Sequence, residues 1–404
     1  MDCRSCELKI TPFFSLGTMP LVNSFLGERE LVHEKRYPLE VGFCPSCFLV
    51  QLVDAVPPEE LFRTYLYASS VSATVVEHSK KTASTLSERF GLTKDHLVVE
   101  AGSNDGVLLR EFKALCVRTL GIDPAENIAK IANKGGIETI PEFFTAALAR
   151  RLSEKGIRAD LFFGVNVLAH VPLIRDFVEG VKIVLAPHGS AVFEFPYIEG
   201  LFEGKFDTIY HEHVFYYSLL ALRNLFAHAG LALYDAHMVD MQGGSVRIFV
   251  SHEGIFPESE RLTSFFHQEY DRGYDKSETY SLIRAKAEKA RKELISLLQD
   301  LTSTGKRIAA YSAPAKGNIL LNYFGIGKNY LDYIVDKSPA KQGLYTPGTH
   351  MKVFGLDKIT EMHPDYLIVL CWNIYPEVLA MKELELFRRR GGKFIIPVPK
   401  VKIV

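Results

Sequence analysis

The chain has 404 residues, 47 Lys and Arg against 48 Asp and Glu, and 47% hydrophobic residues. That length exceeds what one core holds and suits two or three domains. The near-balanced, dispersed charge excludes the basic footprint of a nucleic-acid binder and the like-charge blocks of a disordered tail, so small molecules are the expected partners. The first residues, MDCRSCELKI, carry no basic-then-apolar leader, and no run of about 20 apolar residues occurs, so neither secretion nor membrane insertion is expected and a cytoplasmic location is.

Six cysteines in so long a chain make no disulfide framework. Four of them repeat one spacing, Cys3-Arg-Ser-Cys6 and Cys44-Pro-Ser-Cys47, the pattern that gives a tetrahedral zinc two thiolates from each of two knuckles. Unrelated buried thiols or a redox pair are the alternatives. Four sulfur ligands leave no open position, so such a zinc is structural. Cys116 and Cys371 stand among apolar neighbours and are expected in the core. From Thr11 to Tyr67 short strands and turns are punctuated by Gly17, Pro20, Pro38, Pro57 and Pro58, too sparse in apolar residues to fold without a staple. Residues 1–70 therefore read as a zinc-binding domain.

Residues 73–89 have the spacing of an amphipathic helix. Beyond them VVEAG, TLGID, LFFGVNVL and SAVFEF read as strands alternating with helices such as LLREFKAL and AENIAKIAN, the signature of a doubly wound, mostly parallel sheet that closes near GGSVRIFVS. Residues 71–253 form the expected domain, and the charged SHEGIFPESERL marks its end. Its first turn runs Glu100-Ala101-Gly102-Ser103-Asn104-Asp105-Gly106. This is E-x-G-x-x-x-G, without the middle glycine that lets backbone approach a pyrophosphate in the dinucleotide fingerprint. S-adenosylmethionine has no phosphate, so its site dispenses with that glycine. Asp123, followed by Pro124, ends the second strand, where a carboxylate takes both ribose hydroxyls. Asn166 faces the same crevice. NAD, a ligand-free turn and, for Asn166, a simple capping role are the competing readings.

FDTIYHEHVFYYS sets Tyr210, His211, Glu212 and His213 side by side at the carboxyl edge of the sheet. A metal site and a hydrogen-bonded structural cluster compete with acid–base work. Taking a proton from carbon next to a carbonyl needs a base with a pKa near the working pH, which imidazole provides. Glu212 is expected to orient the imidazole, and Tyr210 to hydrogen-bond an enolate oxygen. Carbon methylation needs all three roles; many O- and N-methylations need only positioning.

The long amphipathic helix ETYSLIRAKAEKARKELISLLQDL precedes a second alternation with KRIAAYSA, LDYIVDK, DYLIVLCW and GKFIIPV as strands, so residues 254–404 read as a second Rossmann-like domain. Within it APAKGN follows a strand and opens a helix, placing Lys316 and backbone amides where a diphosphate could settle. A degenerate copy that only shapes the cleft is the alternative.

The chain resembles the nucleotide-sugar C-methyltransferases of deoxysugar biosynthesis along its whole length. The carrying stretches are CRSC and CPSC, MPLVNSFL, YASSVSATVVEH, VVEAGSNDG, NVLAHV, FEFPYIEGLFEGKFDTIYHEHVFYYS, MQGGSVRIFV and AYSAPAKGNILLNY. The resemblance implies a small zinc domain, a Rossmann-like methyltransferase domain and a second Rossmann-like domain, with a thymidine diphosphate 4-keto-deoxyhexose held between them. It implies that His213 is the base, with Tyr210 and Glu212 beside it, that Tyr67 and His170 face the sugar, and that Asn23, Lys316 and Asn318 bind substrate. Val75 and Ser79 depart from the family's usual SxTMxxHF. An idle sugar-nucleotide binding protein and an O- or N-methyltransferase are the remaining functions.

Overall fold

The computed structural model describes residues 1–62, 68–241 and 244–404. Tyr67 lies outside the described residues. Three sheets form around strands β1 (Thr11–Pro20), β2 (Arg36–Phe43), β3 (Val50–Leu52), β4 (Leu97–Ala101), β5 (Arg118–Ile122), β6 (Thr139–Ile140), β7 (Ala159–Val165), β8 (Leu185–Pro196), β9 (Phe215–Tyr216), β10 (Leu231–Val239), β11 (Ser245–His252), β12 (Ile308–Tyr311), β13 (Ile334–Val335), β14 (Val353–Phe354), β15 (Tyr366–Val369), β16 (Lys393–Ile396) and β17 (Lys402–Ile403).

The amino-terminal sheet is antiparallel, in the order β1-β2-β3-β9. Leu39, Val41 and Phe43 bury the inner side of β2. The last strand is borrowed. Phe215 and Tyr216, one residue after YHEH, pair with Gln51 and Val50, so a segment assigned by sequence to the methyltransferase unit completes the sheet of the cysteine-bearing unit.

The central sheet runs β10-β11-β8-β7-β4-β5-β6, with β11 antiparallel to its neighbours and β8, β7, β4, β5 and β6 parallel. Helices cover both faces, and for that reason its strands are apolar throughout rather than alternating. Leu161 and Phe163 of β7 pack on one side with Leu86, Leu109 and Phe112, while Phe162 packs on the other with Phe144 and Phe177. Strand order reverses between β4 and β7, which opens a crevice at their carboxyl ends. The helix Ala73–Phe90 starts where the Ser72 hydroxyl accepts from Val75 N and stops at Gly91 in the left-handed region (φ 58).

The third sheet, β14-β13-β12-β15-β16-β17, is parallel except for β17, and its order reverses between β12 and β15. Gly317 is required just beyond that point, since a Cβ there would lie 2.7 Å from Leu370 Cβ. The first and third units are tied directly: Leu26 and Tyr345 exchange backbone hydrogen bonds, and the buried Asn318 amide donates to Val22 O at 2.8 Å. Cys371 is buried as expected. Cys116 is not; it sits exposed with φ 63 in the turn after the helix Val107–Ala114, where the chain reverses at the surface.

Candidate functional site

The two cysteine pairs fold as copies of one turn. Glu7 N donates to Cys3 O and Phe48 N to Cys44 O, Cys3 N to Leu8 O and Cys44 N to Leu49 O, and Glu7 and Phe48 both take left-handed φ (64 and 65). Their four sulfurs lie within 4.8 Å of one another, with Cys3 to Cys47 and Cys6 to Cys44 both at 3.5 Å. Zinc bonds of about 2.3 Å to four sulfurs need ligands roughly 3.8 Å apart, so the cradle fits tetrahedral zinc and is too open for disulfides. The metal is structural, held by Cys3, Cys6, Cys44 and Cys47. Among the described residues this is the only cluster with metal-ligand geometry, which leaves YHEH without a metal reading.

The first turn of the central sheet is wound through three left-handed residues, Gly102 (φ 66), Asn104 (φ 50) and Gly106 (φ 79). Asn104 stands where a dinucleotide fingerprint has its middle glycine. Its side-chain oxygen accepts from Ser69 N at 2.8 Å and Asp105 N at 2.9 Å, filling the place where backbone would meet a pyrophosphate. Asp123, buried at the end of β5, accepts from Asn104 N at 2.8 Å and Ala125 N at 2.9 Å, so it braces the turn as well as facing the crevice. Each carboxylate oxygen keeps a second acceptor site. Pro124 beside it is part-exposed. Glu100, ending β4, is buried, and burial together with Asp123, Asp105 and Glu194 pushes its carboxyl well up. Glu100 Oε2, Asp105 Oδ1 and Ser103 Oγ are buried without partners among the described residues. Such orphaned acceptors fit the ammonium and hydroxyl donors of S-adenosylmethionine. Asn166 follows β7 with φ 54, its N–H on Glu194 O, at the opposite lip.

YHEH forms a tight turn, His213 N donating to Tyr210 O at 2.9 Å, and this sends its side chains to different places. His211 turns toward Tyr37 O at 3.3 Å. Glu212 accepts from the Asn23 amide at 2.6 Å, and burial pushes its carboxyl up to about 7. Glu212 therefore does not orient the imidazole. A backbone carbonyl does: His213 Nδ1 donates to Thr208 O at 2.9 Å, which leaves Nε2 as acceptor for the Tyr210 hydroxyl at 2.6 Å. Burial, with the nearby His170 and Lys316, holds His213 well below the usual histidine range. His170 meets it edge-on at 4.9 Å between ring centres, and burial lowers His170 to about 4. The turn is clamped on both sides, since Val214 N donates to Ala169 O and Val214 O accepts from Leu52 N, both at 2.8 Å.

The raised Glu212 pKa has a sign. The folded protein holds this proton up to about pH 7 and the unfolded chain only to 4.5, so the group favours folding below that window and loses the advantage as pH rises through it. Glu212→Gln is expected to melt later than wild type at about pH 8.5, by up to about 3 kcal/mol, with the difference falling below about 1 kcal/mol near pH 5. Urea melts at both pH values check it, and equal destabilisation at both contradicts it.

His213 lines a cavity with Ala169, Phe195, Tyr197, Tyr216 and, from the carboxyl-terminal unit, Lys316. The sequence pattern suggests Lys316 as a diphosphate anchor on a helix start; the structure brings it beside the imidazole. Asn318 is fully buried, and its amide N–H donates to Val22 O, which joins two units, while its Oδ1 has no partner among the described residues. Asn23 is exposed, with its amide on Glu212 Oε1. Residues missed by sequence reasoning are Thr208, whose carbonyl carries no side-chain signature, and the buried Asp207–Trp372 pair, in which Trp372 Nε1 donates to Asp207 Oδ2 at 2.5 Å.

Three family models match the chain. A family described as a putative zinc binding domain matches residues 3–62, a methyltransferase domain family residues 76–236, and a C-methyltransferase C-terminal domain family residues 240–399. C-methyltransferase NovU of Streptomyces niveus is 35% identical over 410 residues, covering 100% of this chain and 96% of its own. Among solved structures, magnesium protoporphyrin IX methyltransferase of Synechocystis PCC 6803 is 14% identical over 44% of this chain and 83% of its own (TM-score 0.35). The PH0226 protein of Pyrococcus horikoshii OT3 is 16% identical over 48% and 98% (TM-score 0.38). Both likenesses are too weak to bear on function. Identity sustained over both full chains is not weak: the protein is an S-adenosylmethionine-dependent C-methyltransferase and belongs to the family of NovU, the one its VVEAGSNDG and YHEH stretches resemble.

Proposed function

We propose that the enzyme methylates the carbon next to the ketone of a 4-keto deoxysugar nucleotide, a thymidine diphosphate sugar by family resemblance, after the Tyr210–His213 pair removes that carbon's proton. The observation that carries this is the fixed tautomer. Thr208 O holds Nδ1–H, so Nε2 is the acceptor, buried and neutral at working pH. S-adenosylmethionine supplies an electrophilic methyl group and leaves as S-adenosylhomocysteine. Glu100, Ser103, Asp123 and Asn166 bind and orient it, with the backbone of Gly102, Asn104 and Gly106 shaping the turn and Pro124 beside the sugar edge. His170, neutral and packed on His213, excludes water and faces the substrate, as does Tyr67 on the reading of the sequence. Asn23 and Glu212 form a polar wall that recognises sugar hydroxyls. Zinc-holding thiols require a reducing compartment, which supports a cytoplasmic location; among the described residues no helix is long and apolar enough to cross a membrane.

Incubation with labelled donor and a panel of 4-keto sugar nucleotides tests the function. The expected product carries its methyl on the carbon beside the ketone. A methyl on oxygen or nitrogen, or binding without any transfer, contradicts the reading.

Asp123 gives a second expected outcome. Removing its carboxylate costs charge-assisted hydrogen bonds of about 1.5–3 kcal/mol each and loosens the turn it braces. Asp123→Ala should weaken S-adenosylmethionine binding by about ten-fold or more in calorimetry. Unchanged affinity would show that the ribose lies elsewhere.

A further inference from the structure

Two lysines line the cavity that holds His213. Lys205 is paired with Glu203 at 2.7 Å, whereas Lys316 makes no ion pair within 4 Å among the described residues. Lys316 Nζ lies over the Trp372 ring, 5.5 Å from its centre, and that indole donates to the buried Asp207. Lys316 follows β12 and Trp372 follows β15, so both stand at the switch point of the carboxyl-terminal sheet, where open α/β folds place their ligands. Here that switch point is turned toward the base of another domain.

Removing a proton next to a ketone leaves charge on the ketone oxygen, and that charge needs a donor. Tyr210 is the donor expected from sequence, but its single hydroxyl hydrogen lies on His213 Nε2. His170 is neutral. We propose that Lys316 is a further catalytic residue, contributed by the carboxyl-terminal domain, whose ammonium holds the enolate oxygen, with Trp372 and Asp207 fixing it in place. This rests on the proton abstraction proposed above and assigns its electrophile. In the step, the C–H bond breaks, its electron pair becomes the carbon–carbon π bond, and the carbonyl π pair moves onto oxygen beside Lys316. The proton ends on Nε2, directly or through the Tyr210 hydroxyl. Asp207 is raised to about 6 by burial, with Lys316 and the Trp372 N–H opposing that rise, as befits a carboxyl serving a neighbouring cation.

The test uses full-length enzyme and a 4-keto deoxysugar nucleotide in heavy water without methyl donor. Lys316→Met is expected to slow exchange of the proton beside the ketone, and methylation with it, by about 10²-fold or more. Zinc content, S-adenosylmethionine affinity and affinity for the free nucleoside diphosphate should stay at wild-type levels. Should Lys316→Met lose its zinc or its donor affinity, Lys316→Gln, which keeps length and a polar end, replaces it with the same expectation. Exchange at the wild-type rate overturns the proposal. So does a loss confined to nucleoside diphosphate affinity, which would make Lys316 a phosphate anchor. A wild-type enzyme that exchanges nothing overturns the proposed proton abstraction itself, and this assignment falls with it.

Discussion

His213→Asn should abolish methylation, lowering kcat by at least about 10³-fold, while S-adenosylmethionine binds as before. Asparagine approximates the ring's Nδ1 side, so its amide still donates to Thr208 O and the turn keeps its shape, but it offers no basic nitrogen to Tyr210. The wild-type pH profile follows from the same burial. Because the folded imidazole lies well below 6.5, it stays neutral and competent as pH falls past that value, and its own acid limb lies lower. The unfolded histidine protonates first, so this group's share of stability is present above 6.5 and is lost as pH falls toward the folded value. An acid limb nearer neutrality belongs instead to Glu212, at about 7, and Glu212→Gln should remove it. Steady-state rates across pH, with calorimetry for the donor, check these statements. A His213→Asn enzyme with near-normal turnover would move the base elsewhere, first to His170.

Loss of zinc should have the next largest effect, and it should reach the active site. A closed four-thiolate site contributes folding free energy outright. β3, which lies just beyond Cys44 and Cys47, is also the strand that grips β9 and Val214 directly behind His213. Cys44→Ser is therefore expected to lower the melting temperature by about 10 °C or more and to cut kcat without changing donor affinity, since the S-adenosylmethionine crevice lies in the central sheet. Metal analysis should return about one zinc per chain for wild type. A zinc-free, fully stable wild type contradicts the account, and so does turnover that stops at once on chelation of a protein still folded, which would signal a catalytic metal.

What was legible in the sequence was local. Strands β4, β5, β7 and β8 announce themselves as short apolar runs because helices bury both their faces, and the cysteine knuckles announce themselves because two thiolates per turn need one spacing. What was not legible depends on partners far along the chain. Adjacency in sequence assigns Glu212 to His213, yet its partner is Asn23, 189 residues away. The group that orients the imidazole is a backbone carbonyl, which any residue at position 208 would supply. A two-residue strand such as β9 has no period to detect, and its pairing with β3 is visible only once the units are docked. Lys316 has the sequence context of an anion site on a helix start, and only the packing of its helix, Ala315–Phe324, on the turn Phe206–Thr208 shows that it shares a cavity with His213. The apolar neighbours of Cys116 point to a buried thiol, and they do not reveal that a single left-handed residue turns it outward.

In the proposed chemistry the Tyr210–His213 pair takes a proton from carbon before any methyl moves. That step is tested most directly by following that proton in heavy water, by mass spectrometry or nuclear magnetic resonance, for a 4-keto deoxysugar nucleotide with wild-type and His213→Asn enzyme and no methyl donor. Deuterium is expected at the carbon beside the ketone with wild type, and none above the uncatalysed background with His213→Asn. Exchange that persists in His213→Asn, or methylation by a wild type that never exchanges when donor is withheld or supplied, would contradict it.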